Sequence, residues 1–402
     1  MTAPVTVTRR LDLDRLRILA CLSTFCYHAI QVFDLNPYYH VKSNTLSPAL
    51  DVAARLLQAV RMPLFFLIAG MVGFKALERY TDRQLIRQRS LRLLPPFVVG
   101  IVCFSPLIKY FEILDGRSIG WSGIVALSGP PPDLLVVLRR YFTQFRGFSW
   151  SHMWFPLYLF IFGILLLPVL RRLGRAKWRN RLPLAAALVL PLLMLVAVEV
   201  ALRPIFPWHI PNLFWDWASV FVYLICMLSG AALIRWPELE AILQRRRAVT
   251  IGLAVGGAAL YLGFDDWLSR AVGRALWLWA LLSVAIGLGP WLSRGRIIGE
   301  RYLSEGALPI YVLHHLPLIM IAFAVKDLEW PVWQRYVVIV LGAFAVTMAV
   351  YHTLVRPFAI VRQAFGMPQR PNASVDAGRD PSSTDLPDAV AAPVPESQRS
   401  QV

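Results

Sequence analysis

The chain has 402 residues, 57% of them hydrophobic and only 16% charged. A water-soluble domain of this size needs far more polar surface, so the composition excludes a soluble enzyme and reads as a polytopic membrane protein. The formal net charge is +17, which in a soluble chain would suggest a nucleic-acid partner. Here the basic residues sit in short clusters between apolar runs, a signal of membrane topology, and no nucleic acid is expected.

Ten apolar segments are long enough, or nearly so, to cross a bilayer: about 16–34, 62–77, 94–111, 153–170, 182–202, 214–234, 248–264, 275–292, 306–325 and 333–355. The second could begin as early as Val52, because the stretch before it is amphipathic. With the N-terminus inside, Arg9, Arg10, Arg15 and Arg17 lie inside. So do the clusters Lys75–Arg92, Arg171–Arg181, Arg235–Arg247 and Arg294–Arg301 and the chain from Arg356. Only the long 112–152 loop, with several arginines, departs from the pattern. The expected fold is all-α, a bundle of about ten transmembrane helices with both termini cytoplasmic, in a bacterial inner membrane. Residues 1–360 form the membrane domain. Residues 361–402, rich in Pro, Ser, Ala and Asp without apolar periodicity, are expected to be a disordered cytoplasmic tail.

No small-residue cleavage site follows the first apolar run, so that run is expected to be retained. The four cysteines lie in apolar segments without CxxC spacing, so neither a disulfide nor a metal site is expected. No internal repeat stands out, which counts against an inverted-repeat transporter.

The first span carries Asp14, Arg17, Cys21, Thr24 and His28 at spacings of 3, 4, 3 and 4, which put them on one helical face. Arg17 falls at the inner surface and His28 roughly 16 Å further along the axis, near mid-membrane. An ionisable group at that depth is a functional candidate. After the second span, "RQRSLRLLPPF" supplies Arg89 and Arg92, an Arg-x-x-Arg pair able to grip a phosphate, followed by prolines that send the chain into the next span. On the outer side, His152 and Trp154 in "SHMWFPLYLF" and Arg61 before "MPLFFLIAG" are candidates for binding a polar acceptor. In the ninth span, Tyr311, His314 and His315 lie between Pro309 and Pro317, at a depth similar to that of His28. His40, His209 and His352 fall in loops or near span ends and are treated as background, and Glu199 is placed within reach of the outer interface.

Taken in order, "LDLDRLRILACLSTFCYH", "RMPLFFLIAGMVGF", "RQRSLRLLPPF", "SHMWFPLYLF" and "YVLHHLPL" resemble the acyltransferase-3 family of integral membrane acyltransferases over roughly residues 10–360. "HMWF" and "YVLHHLP" look most like the branch named for glucan-modification protein C, associated with succinyl substitution of osmoregulated periplasmic glucans. The resemblance implies an acyl-CoA donor on the cytoplasmic face and an extracytoplasmic carbohydrate acceptor. It maps the first-span histidine to His28, the arginine eleven before it to Arg17, and the Arg-x-x-Arg pair to Arg89 and Arg92.

The resulting expectation is an O-acyltransferase that moves a succinyl or acetyl group from acyl-CoA to glycan hydroxyls. His28 acts as general base or transient acyl carrier, with Arg17 and Asp14 shaping the inner mouth. Arg89 and Arg92 hold the CoA phosphates. Arg61, His152, Trp154, Tyr311, His314 and His315 line the acceptor side, and a tunnel beside Thr24 joins the two. The rival from another class is a proton-coupled transporter or flippase for an anionic or lipid-linked metabolite, since buried His and Arg suit that too.

Overall fold

The computed structural model describes residues 10–368 apart from 121–122, 128, 145–147, 176–183 and 208–212. Helix α1 (Leu11–Gln31) is followed by α2 (Pro48–Ala76) and by α3 (Asp82–Val99), which passes through a π-helical turn at Gly100–Phe104 into α4 (Ser105–Leu114). A short hairpin comes next, β1 (Arg117–Gly120) antiparallel to β2 (Gly123–Ala126) with Arg117 opposite Ala126. Then come α5 (Leu134–Thr143), a 3-10 turn at Ser151–Met153, α6 (Trp154–Leu165), α7 (Leu167–Arg175), α8 (Leu184–Ala201), α9 (Trp217–Arg235) and α10 (Pro237–Arg245). The chain closes with α11 (Arg247–Gly263), α12 (Trp267–Gly287), α13 (Gly289–Leu292), α14 (Glu300–Leu313), α15 (His315–Val325), α16 (Val332–Val350), a π-helical turn at Tyr351–Val355, and α17 (Ala359–Ala364).

Each of the ten predicted segments is helical where described. Five helices are long and apolar enough to cross a membrane, or seven if each of two bent pairs counts as one span. The bent pairs are α6 with α7, at 47°, and α14 with α15, at 54°. The other three segments meet that standard less well. α1 carries Asp12, Asp14, Arg15 and Arg17 in its first two turns, and α8 and α11 are short. The hairpin is a small departure from an all-α chain, inside what reads in the sequence as one long loop.

Two sequence expectations change in shape. The prolines of "LRLLPP" do not separate a basic loop from a span. Pro95 and Pro96 lie inside α3, so Arg83 through Arg92 are the first turns of a helix capped by Thr81 and Gln84. The amphipathic stretch from Pro48 is the first half of α2, capped by Ser47. Arg61 is therefore near the middle of a helix rather than at its outer end. Residues 361–368, expected in the tail, are partly helical and pack on α3. Gly366 (φ 68°) lies so close that a Cβ there would be 2.0 Å from the Arg92 carbonyl oxygen. The remainder of the predicted tail and His209 lie outside the described residues.

Glycine permits the tightest crossing in the bundle. A Cβ on Gly70 of α2 would lie 1.9 Å from the Met227 carbonyl oxygen of α9, and one on Gly230 would lie 2.0 Å from that of Leu67. Small residues let the two backbones touch, which is how helices associate where lipid removes the hydrophobic driving force. Beside this crossing Phe66 stacks on Tyr223 at 4.5 Å between ring centroids.

Both ends of the bundle are held by cations that bind a carboxylate and backbone carbonyls together. At the end where α1 begins, Arg15 pairs with Glu300 at 2.8 Å and reaches the carbonyls of Arg294 and Gly295. Arg171 binds Asp82 at 2.7 Å, with the Leu77 and Tyr80 carbonyls. At the opposite end Lys42 is buried and donates to the carbonyls of Gln31 and Asp34 and to the Asp34 carboxylate at 2.7 Å. A cation on the last carbonyls of a helix satisfies orphan acceptors and meets the negative end of its dipole. Lys42 thus ties the loop 32–47 back over the end of α1.

Burial opposes the charges of that pair. It pushes the Asp34 carboxyl up to about 6 despite Lys42, and pushes the Lys42 ammonium down. Lys42→Met should therefore cost about 3–5 kcal/mol, because it strands a buried carboxylate, and the double variant Asp34→Asn, Lys42→Met should recover part of the loss. Thermal unfolding in detergent measures both. A carboxyl with a raised folded-state pKa contributes stability that is fully present below its ordinary value of 3.8 and is lost as pH rises through about 6. Asp34→Asn should accordingly flatten the fall in stability between pH 4 and pH 6.5.

Candidate active site

His28 lies in the last turn of α1, further toward the loop-bearing end than the mid-span position its sequence suggests. Its Nδ1 is 2.8 Å from Gln31 Oε1, one turn on. With the amide oxygen there, Nδ1 carries the hydrogen and Nε2 keeps its lone pair. Nε2 is 3.4 Å from Nη1 of Arg61. The Arg61 guanidinium is buried and lies over the Tyr27 ring, 3.9 Å from its centroid.

The helix break between α14 and α15 delivers two more imidazoles. His314 is the residue at the break, and His315 opens α15. His315 stacks on His28 with ring centroids 4.4 Å apart, and His314 lies 5.4 Å from His28. The Nδ1 of His314 donates to the Tyr311 carbonyl at 2.5 Å, while its Nε2 is buried without a hydrogen-bond partner. Pro309 and Pro317 flank this break, as the sequence suggests, and free the backbone there from a regular ladder.

His152 closes the cluster from the start of α6, with its ring 4.7 Å from His315 and 5.2 Å from His314. Its Nε2 donates to the Val312 carbonyl at 3.0 Å, and the Tyr311 hydroxyl donates to the His152 carbonyl at 2.6 Å. Trp154 is buried and stacked on Tyr223 at 5.7 Å. Neither His152 nor Trp154 stands on an exposed outer lip.

His40, set aside in the sequence, belongs here. Its ring is 5.3 Å from that of His315, and its Nδ1 donates to Glu112 Oε2 at 2.6 Å. Glu112 is fully buried and also accepts from Lys109 Nζ and from the backbone N–H of Ile119 at 2.6 Å, which pins β1 to α4. The Ser151 hydroxyl sits among three imidazoles: 3.4 Å from His40 Nε2, 3.5 Å from His152 Nδ1 and 3.4 Å from His315 Nδ1. Tyr39 hydrogen-bonds His315 Nε2 at 3.2 Å. No spacing rule links residues 40, 112 and 151. The only local signal was that Ser151 adjoins His152.

A cavity of about 140 Å³ opens on this cluster, lined by His28, Tyr39, His40, Arg61, Ser151, His152 and His315. Its far wall carries Glu199, Arg203 and Arg274. Glu199 is buried in α8, paired with Arg203 at 2.9 Å and Arg274 at 3.6 Å, and does not reach out to an interface. Three arginines around one glutamate leave the cavity positively charged. Among the described residues no group of three or more His, Cys, Asp or Glu is arranged to hold a metal ion.

The remaining predicted residues form a separate group at the basic end. Arg17 binds Asp14 at 2.8 Å and Ser304 Oγ at 2.5 Å, and Ser304 also donates to Asp14. Arg92 is exposed and close enough to Arg17 for their like charges to repel. Arg89 is different. Its guanidinium threads between α2 and α6, and a Cβ on Gly163 would lie 1.5 Å from its Nη1. The two arginines thus do not form one exposed fork. Between the two groups, Cys21 and Thr24 are buried against α14, with Thr24 bonded to its own helix at the Cys21 carbonyl. The expected tunnel beside Thr24 is closed in this structure.

Comparison with known proteins places the chain in a family. The chain is 23% identical over 334 residues to glucans biosynthesis protein C of Salmonella heidelberg (strain SL476), covering 77% of this chain and 83% of that protein. Glucans biosynthesis protein C of Salmonella enteritidis PT4 (strain P125109) is similarly 23% identical over 335 residues, with the same coverage. No solved structure matches the chain. The acyltransferase-3 family, described as an acyltransferase domain, matches residues 10–352. With a helical membrane bundle, a buried imidazole cluster and a match over most of its length, the chain belongs to the acyltransferase-3 family and is a membrane transferase of acyl groups other than aminoacyl groups.

Proposed function

We propose that this protein moves an acyl group from an acyl-CoA thioester to a hydroxyl of an extracytoplasmic glucan, working in a bacterial inner membrane with ten spans and both termini cytoplasmic. The observation that carries the reading is the His28–His315 stack at a cavity, with the Arg61 guanidinium beside His28 Nε2. His28 Nε2 keeps a lone pair, met only by the Arg61 guanidinium at 3.4 Å, that takes a proton from the acceptor hydroxyl when Arg61 turns to the oxyanion, and the Gln31 hydrogen bond fixes the tautomer that makes this possible. Arg61 lies beside that nitrogen and supplies a buried cation for the oxyanion that forms when the hydroxyl attacks the acyl carbonyl. The surplus of arginine on the far wall favours an acyl group with its own carboxylate, succinyl over acetyl.

The donor's phosphates bind at the opposite end, on Arg92 with Arg17. Two cations held close together, one of them exposed, are relieved by an anion. Arg89 supports this site from within the bundle. The pantetheine arm then lies along the α1–α14 seam, which has to part at Cys21 and Thr24 to admit it. The broken α14–α15 pair is the element able to move there without losing intact helix.

Transfer of radiolabel from succinyl-CoA to a glucan oligosaccharide by the purified protein in liposomes tests the reaction. Label that crosses the bilayer unchanged would replace this reading with transport. His28→Gln keeps a hydrogen-bonding side chain but not basicity, and should lower kcat by about 10²–10⁴-fold at normal expression. Arg92→Lys keeps charge but loses the planar fork. It should raise KM for acyl-CoA about tenfold with little change in kcat. An unchanged KM, or a defect seen only with the glucan, would remove Arg92 from the donor site.

A further inference from the structure

A carboxylate, an imidazole and a hydroxyl follow one another at the cavity wall, on the other side of His315 from His28. Glu112 accepts from His40 Nδ1 at 2.6 Å, and His40 Nε2 faces the Ser151 hydroxyl at 3.4 Å. A base within reach of the hydroxyl and a carboxylate that orients the base are both present. Glu112 is fully buried and fixed by Lys109 and by the Ile119 N–H, so it holds the imidazole in one tautomer and orientation. That tautomer leaves His40 Nε2 as the acceptor for the serine proton. The other two nitrogens near Ser151 are the Nδ1 atoms of His152 and His315, whose Nε2 atoms meet the Val312 carbonyl and the Tyr39 hydroxyl, so of the three imidazoles His40 is the one backed by a carboxylate.

The backbone supports the same conclusion. Ser151 has φ 46°, one of two non-glycine residues with positive φ among those described. Serine held there is strained, and such strain is found chiefly where a side chain must be aimed. The strained turn ends directly in α6, so the hydroxyl projects into the cavity between His40 and His315.

From this geometry we infer that Ser151 is a nucleophile that carries the acyl group between donor and acceptor, with His40 as its base and Glu112 as the group that orients His40. The inference rests on the acyl-transfer reading above. In the first half-reaction Ser151 Oγ attacks the thioester carbonyl while His40 Nε2 takes the hydroxyl proton. The carbon–sulfur bond breaks, and His40 returns the proton to the departing thiolate. In the second, the glucan hydroxyl loses its proton to His28 and attacks the serine ester. The Ser151–acyl bond breaks, the serine oxygen takes a proton from His315 Nδ1, and the proton held by the adjacent His28 replaces it, so every group returns to its starting state. One thioester and one alcohol give one thiol and one ester, with no other reagent. The histidines are thereby divided into one base for each half-reaction.

The test is a rapid-quench experiment on the full-length protein with radiolabelled succinyl-CoA and no glucan. Label should remain on denatured wild-type protein and map by mass spectrometry to the peptide holding Ser151. Ser151→Gly is the informative variant, because glycine relieves the positive φ while removing the hydroxyl. It should fold normally, bind acyl-CoA with unchanged affinity, retain no label, and lose transfer by on the order of 10³-fold or more. Ser151→Cys should carry label that neutral hydroxylamine releases, as expected of a thioester. If wild-type protein transfers succinyl to glucan but carries no label on Ser151, or if Ser151→Gly transfers within about tenfold of wild type, the covalent route is wrong and direct transfer stands. If wild-type protein transfers nothing to glucan, the acyl-transfer reading itself fails, whatever the label shows.

Discussion

Two hydrogen bonds join the start of α6 to the end of α14, and the site depends on them. The Tyr311 hydroxyl donates to the His152 carbonyl, and His152 Nε2 donates to the Val312 carbonyl. The second works because α14 stops at Leu313, so its last carbonyls lack intrahelical partners. In lipid such carbonyls must be satisfied from within the protein. An imidazole that does so gives up one nitrogen and leaves the other facing the cavity. The same interaction therefore satisfies the helix end, fixes a tautomer and brings residues 151–152 against residues 314–315.

From that junction the cluster assembles with little freedom. His315 is placed by the break, His28 stacks on it, and the loop 32–47 brings Tyr39 and His40 over both. That loop is held by Lys42 on the end of α1, and Glu112 on α4 receives His40. Five of the seven histidines meet at one place, although they come from α1, the first loop, the start of α6 and the α14–α15 break. Burying so many polar rings is tolerable only because most of their nitrogens have partners. The unpartnered Nε2 of His314 is the exception.

The helical segments were legible because lipid enforces one solution for the backbone, and apolar length reports it directly. His28, His152, His314 and His315 stood out for the same reason, as titratable groups inside apolar runs. Arg61 was recognised but misplaced, since a 29-residue helix begins well before its apolar half. His40 and Glu112 were not legible. One lies in a polar loop where histidine is unremarked. The other sits near a span end, beside Lys109 three residues earlier, where a salt bridge is the ordinary expectation. Their meeting depends on the fold of the 115–151 region, whose short hairpin leaves only a weak periodic trace. The Arg89–Arg92 pair erred in the other direction. Spacing put both on one turn, but Gly163 opens a gap that takes Arg89 and leaves Arg92 outside.

The separation between the cationic group and the histidines follows from α1 itself. Arg17 and His28 are eleven residues apart on one straight helix, about 16 Å, and no side chain spans that distance. On the acyl-CoA reading proposed above, a nucleotide held at Arg92 and Arg17 reacts at the cavity only through the pantetheine arm, which is thin and extended. The seam it must follow is closed by small side chains, Cys21, Thr24, Ser304 and Ala307, rather than by interlocked large ones. A seam of that kind parts with modest loss of packing, because each contact surrendered is small. On the acyl-CoA reading proposed above, a closed seam of small residues, a broken helix on one side of it and a charged mouth at its end make one device, in which the donor's own binding supplies the free energy that opens the route to the histidines.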